Sequence, residues 1–77
     1  MKAKLTHFIT IYQAGVEATF KLTAREYRYA MRNREHNFEW FAWADYEISR
    51  AKSARFNKLF DYNKGNFYVI EHGELTK

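Results

Sequence analysis

Cysteine and proline are both absent from the 77 residues, and glycine occurs only three times. Without cysteine there is no disulfide framework and no thiolate metal site. Three isolated glycines build neither a phosphate-cradling loop nor a dinucleotide fingerprint. No apolar run reaches the roughly 18 residues of a membrane-spanning helix. The start, Met1-Lys2-Ala3-Lys4, leads into alternating residues rather than an apolar block. An intracellular, cytoplasmic protein with no membrane contact is therefore the expectation. The only serines are Ser49 and Ser53, which leaves little for nucleophilic catalysis.

What the chain has in place of staples is aromatic residues. There are seven Phe, six Tyr and two Trp. Each large ring can bury roughly 150–250 Å², and a chain this short needs dense packing to fold. Apolar residues make up 47% of the chain, which argues for a globular core rather than disorder. One domain covering residues 1–77 is expected. Thirteen Lys and Arg against nine Asp and Glu leave a net charge of +4. A basic balance admits a nucleic-acid partner only if the charge clusters on one face.

Residues alternate from Leu5 to Gln13, with Leu5, Ile9 and Ile11 on one side and Thr6, Phe8, Thr10 and Tyr12 on the other. This predicts a strand. Ala14-Gly15 offers a tight turn, with Gly15 supplying positive φ. Val16 to Leu22 alternates cleanly and predicts the second arm of a hairpin. Thr23 and Glu26 then have the spacing of a capping box. A helix should run from about Ala24 to Arg34, with Tyr27, Ala30 and Met31 as its apolar stripe.

Residues 37–62 admit two readings. Phe38, Trp40, Ala42, Ala44, Tyr46 and Ile48 alternate as in a strand, but Phe41 and Trp43 fill the gaps between them. The alternative is a helix with Phe41, Ala44, Ile48, Ala51 and Leu59 on one stripe. Acids come first and bases later, as a helix dipole favours, and nothing interrupts 25 residues. A long helix is favoured, with an extended or broken first turn still open. Gly65 is the expected left-handed cap. Phe67 to His72 predicts a third strand, ended by Gly73. The fold class is thus α+β, in the order β-β-α-α-β: a small antiparallel three-stranded sheet with two helices on one face.

Candidate chemistry is sparse. His7, His36 and His72 lack ligand spacing, although His7 and His72 would become neighbours if the first and last strands paired. No metal, no cofactor, no catalytic residue and no enzymatic activity are expected. Two basic sets stand out. Arg25, Arg28 and Arg32 recur at i, i+3 and i+7 beside Tyr29, a spacing that lines up guanidinium forks for carboxylates or phosphates. Arg50, Lys52, Arg55 and Lys58 form a looser set. The run Phe38–Trp43 with Tyr46 holds more rings than one face can bury. Trp40, Trp43 and Tyr46 are accordingly candidate partner contacts, since Trp, Tyr and Arg dominate interface hot spots.

The leading expectation is a non-enzymatic protein-binding module with an aromatic and Arg surface. Self-association into a homodimer is one form of it. The alternative is a small basic nucleic-acid-binding protein, whose rings would stack on single-stranded bases. In size, composition and lack of a catalytic signature the chain resembles the small inhibitors encoded by bacteriophages and other mobile elements, anti-CRISPR proteins among them. The resemblance is one of general character and rests on no diagnostic residues. It implies a stoichiometric blocker of a larger bacterial machine, including a nucleic-acid-handling complex.

Overall fold

A computed structural model describes residues 4–33, 46–61, 63 and 65–75. Its elements are β1 (Leu5–Gln13), β2 (Val16–Thr23), α1 (Ala24–Asn33), α2 (Tyr46–Leu59) and β3 (Tyr68–Glu74). The strands form one antiparallel sheet in the order β2-β1-β3. The expected fold class and element order are the observed ones.

The hairpin closes through Ala14 and Gly15, which connect the paired residues Gln13 and Val16. Both turn residues have positive φ, +47° and +89°. That pair of signs matches the twist of a right-handed hairpin. Gly15 adopts it freely, whereas Ala14 carries a steric cost of about 1–2 kcal/mol.

Alternation sorts the strand residues into two faces. Ile9 and Ile11 lie opposite Phe20 and Ala18, and His7 opposite Leu22. These residues face the helices. Ile9, Ile11, Ala18, Phe20 and Leu22 join Ala30 of α1, Phe56 of α2, and Phe60 and Phe67 in one buried cluster. The Phe56 ring lies 5.0 Å from that of Phe60 and meets Phe67 edge-on at 4.8 Å, a geometry aromatic pairs prefer. On the other face, Thr10 and Thr19 hydroxyls are hydrogen-bonded at 2.8 Å across β1 and β2. Tyr12 and Tyr68 are register partners there.

The predicted capping box forms. The Glu26 amide donates to Thr23 Oγ1 at 3.1 Å, and the Thr23 amide donates to Glu26 Oε1 at 3.0 Å. Two otherwise orphaned amides are thereby satisfied at the start of α1. Ala30 is fully buried, with Tyr27 and Met31 packed beside it, as the predicted stripe requires.

Three sequence expectations need correction. The apolar stripe of α2 is not Ile48, Ala51 and Leu59; Ala51 and Leu59 are exposed. The inward positions are Ser49, Lys52 and Phe56, continued by Phe60. The helix is rotated because Glu26 on α1 offers partners to Ser49 and Lys52, while two Phe rings fill the space beneath. Next, Gly65 does not cap α2, which ends at Leu59. Gln13 on β1 terminates it instead. Its Oε1 accepts from the Asp61 amide at 2.9 Å, and its Nε2 donates to the carbonyls of Asp61 and Gly65 at 2.7 and 2.9 Å. With both main-chain groups of Asp61 held from another element, the helical ladder cannot continue through it. Finally, the third strand starts one residue later than predicted and runs through Gly73 to Glu74, because Gly73 pairs with Phe8 and Glu74 with His7. The expected continuation of the long helix over residues 38–45 lies outside the described residues.

Candidate partner-binding surface

The cap that starts α1 also locks the two helices together. The Glu26 carboxylate is completely buried. Besides its backbone bond, its Oε1 accepts from Lys52 Nζ and its Oε2 from Ser49 Oγ, both at 2.5 Å. A buried carboxylate is tolerated only when paired and hydrogen-bonded, and both conditions hold. Lys52, grouped by sequence with surface bases, is therefore an interior residue only 9% exposed. Sequence reading missed it because a lysine pattern does not announce a buried acid 26 positions away.

The rest of the second basic set is also engaged. Arg50 pairs with Glu47 one turn away, at 3.2 Å. Arg55 donates from Nη1 to the Thr19 carbonyl at 2.8 Å, and its guanidinium lies 4.6 Å from the centre of the Phe20 ring. Only Lys58 has no such engagement among the described residues.

The first basic set differs. Arg25, Arg28 and Arg32 are all exposed on α1. Their 100° spacing places them on the side opposite Glu26 and Ala30, which face inward. None of the three forms an ion pair among the described residues. Arg32 sits over the Tyr29 ring at 5.8 Å, which adds a half-buried aromatic to the stripe. From Arg25 to Arg32 the helix rises about 10 Å. The stripe is therefore a short, straight row of planar donors. Of the aromatic candidates, Trp40 and Trp43 lie outside the described residues, and Tyr46 enters only as the first residue of α2.

His7 and His72 do approach each other, since β1 pairs with β3. Tyr27 stands between them. It stacks on His7 at 4.3 Å, and its hydroxyl is hydrogen-bonded to His72 Nδ1 at 2.7 Å. Among the described residues no three acidic, His or Cys side chains are grouped to hold a metal. Tyr27 instead uses both imidazoles to fasten α1 to the sheet.

No described helix is long and apolar enough to cross a membrane. No family of known proteins, no curated protein and no solved structure matches the chain.

Proposed function

We propose that this chain is a small, non-enzymatic protein-binding module whose α1 surface docks against carboxylates of its partner. The observation that carries the reading is the row Arg25, Arg28 and Arg32, exposed and without an ion pair among the described residues. Arg forks match carboxylates bidentately, and Arg with Tyr is the pairing enriched at interface hot spots. Stoichiometric blocking of a larger bacterial machine, as in the phage and mobile-element inhibitors, is the form of binding that needs no catalytic group. The chain's size and charge suit it.

Nucleic acid is the competing partner. A phosphate track needs many free cations along a continuous path. On α2 that path is depleted, because Arg50, Lys52 and Arg55 are committed to Glu47, Glu26, and Thr19 with Phe20. Among the described residues, three of the cations without an ion pair, Arg25, Arg28 and Arg32, share one face of a ten-residue helix, whereas Lys4, Lys21 and Lys58 lie apart from it. That distribution favours a compact acidic protein surface.

The test is affinity capture from a bacterial lysate, with and without nuclease. The bait is the whole chain, beside a variant carrying Arg25→Glu, Arg28→Glu and Arg32→Glu. The reading expects a discrete protein that survives nuclease and is lost from the variant, whose thermal midpoint stays near that of the parent. Capture that vanishes with nuclease, or that the variant retains in full, overturns it.

A further inference from the structure

We infer that the free edge of β3 receives an extended, basic segment of a partner protein as a fourth strand of the sheet. This surface is separate from the Arg row of α1, and the inference does not depend on that row.

Among the described residues, the sheet order leaves β3 with β1 on one side and no strand on the other. The Leu75 amide donates to the Thr6 carbonyl at 2.9 Å, which fixes the phase of the ladder. In an antiparallel pair, alternate residues turn their main-chain groups toward the neighbour. Leu75, Gly73 and Glu71 therefore face β1, and His72 and Glu74 turn theirs outward. No described residue bonds those outward groups. Water can bond such groups singly, but an added extended backbone pairs the row residue by residue, which is the basis of strand addition.

The side chains along the edge say what kind of strand fits. Natural edges are usually guarded by Lys, by Pro or by a covering element. β3, with the sequence YVIEHGE, has no Lys, Arg or Pro. Tyr68 and Ile70 are 55% and 52% exposed, the highest of the exposed large hydrophobics. Ile70 falls at a bulge, between Val69 opposite Ile11 and Glu71 opposite Thr10, so it has no partner on β1. The charges here are all acidic. Glu71 has no cation partner among the described residues. The Glu74 side chain is 83% exposed, and His7 Nε2 lies 3.9 Å from its Oε2. Apolar contacts at Tyr68 and Ile70 together with Lys or Arg opposite Glu71 and Glu74 complete the edge.

A second copy fits poorly. Antiparallel pairing of two β3 strands centred on Glu71 sets Glu71 against Glu71. Centring on His72 leaves the two Glu71 diagonal, and centring on Gly73 leaves the two Glu74 diagonal while setting each His72 opposite a Glu74. Like charges at such positions oppose pairing.

The test is a ¹H–¹⁵N NMR titration of the whole chain with two capped hexapeptides, Lys-Val-Val-Lys-Val-Val and Glu-Val-Val-Glu-Val-Val, whose first and fourth residues fall opposite Glu74 and Glu71 in an antiparallel pairing. The inference expects the basic peptide to shift the amides of His72 and Glu74 and to slow their exchange. Affinity should fall at least about tenfold in Glu71→Lys/Glu74→Lys. It should be unchanged when the three α1 arginines are replaced. Should the double variant fail to fold, titration of the parent with rising salt takes its place and must show weakening. Equal binding of the acidic peptide, shifts confined to residues away from β3, or no binding of the basic peptide overturns the inference.

Discussion

β2 and β3 flank the same central strand, yet their outer edges are treated differently. On β2 the outward carbonyl of Thr19 is taken by Arg55, and the Arg55 guanidinium shields the Phe20 ring behind it. α2 lies against β2, anchored from below by Phe56 and from α1 by the bonds of Ser49 and Lys52 to Glu26. On β3 no described residue performs the equivalent task, and two large apolar side chains stand half exposed. The difference separates two jobs within one sheet. On one edge the fold takes an outward carbonyl with Arg55 and lays a helix beside it. On the other, no described residue bonds the outward main-chain groups.

The comparison can be broken most severely at Glu26. Glu26→Ala removes the anion beneath Lys52 and leaves a buried cation unpaired, at a cost of about 3–5 kcal/mol. Urea unfolding should show this directly, and α2 should loosen from β2 while the β1–β3 pairing persists longest. Adding Lys52→Met to that variant should restore most of the loss, since a well-packed apolar pair replaces a buried ion pair with little penalty. A double variant as unstable as the single one would show that the lock acts some other way. Gln13→Ala comes next. It frees the Asp61 amide and two carbonyls from their common partner, and the same measurement should record a loss of about 2 kcal/mol.

Arg55→Ala sharpens the comparison rather than breaking it. Stability should fall by about 1 kcal/mol, from one hydrogen bond and one exposed cation–ring contact. The closed edge should then resemble the open one, and light scattering should detect more self-association than in the parent. Ala14→Asn is the smallest change and the only one expected to stabilise. Asn tolerates positive φ better than Ala, so unfolding should shift upward by up to about 1 kcal/mol with both edges unaltered.

Local features were legible in the sequence to the extent that their cause is local. The hairpin follows from alternation and a turn glycine, and α1 from Thr23 and Glu26 three positions apart. The Arg row was legible for the same reason, because helical spacing alone places Arg25, Arg28 and Arg32 together. The orientation of α2 was not. Its inward positions include Ser49 and Lys52, which a hydropathy pattern assigns to solvent, and their burial depends on an acid contributed by another helix. Gln13 was likewise read only as the end of a strand. Its role as the terminator of α2 depends on contacts 48 and 52 residues away. The open edge of β3 was hidden by the same limit, since edge or centre is a property of the sheet order and not of the strand.

Amide hydrogen exchange along β3 tests the central claim most directly, because protection reports which backbone groups are bonded. The account predicts alternation: slow exchange at Glu71, Gly73 and Leu75, and fast exchange at His72 and Glu74. Uniform protection across residues 71–75 in the isolated protein would mean that the edge is already covered, and would contradict it.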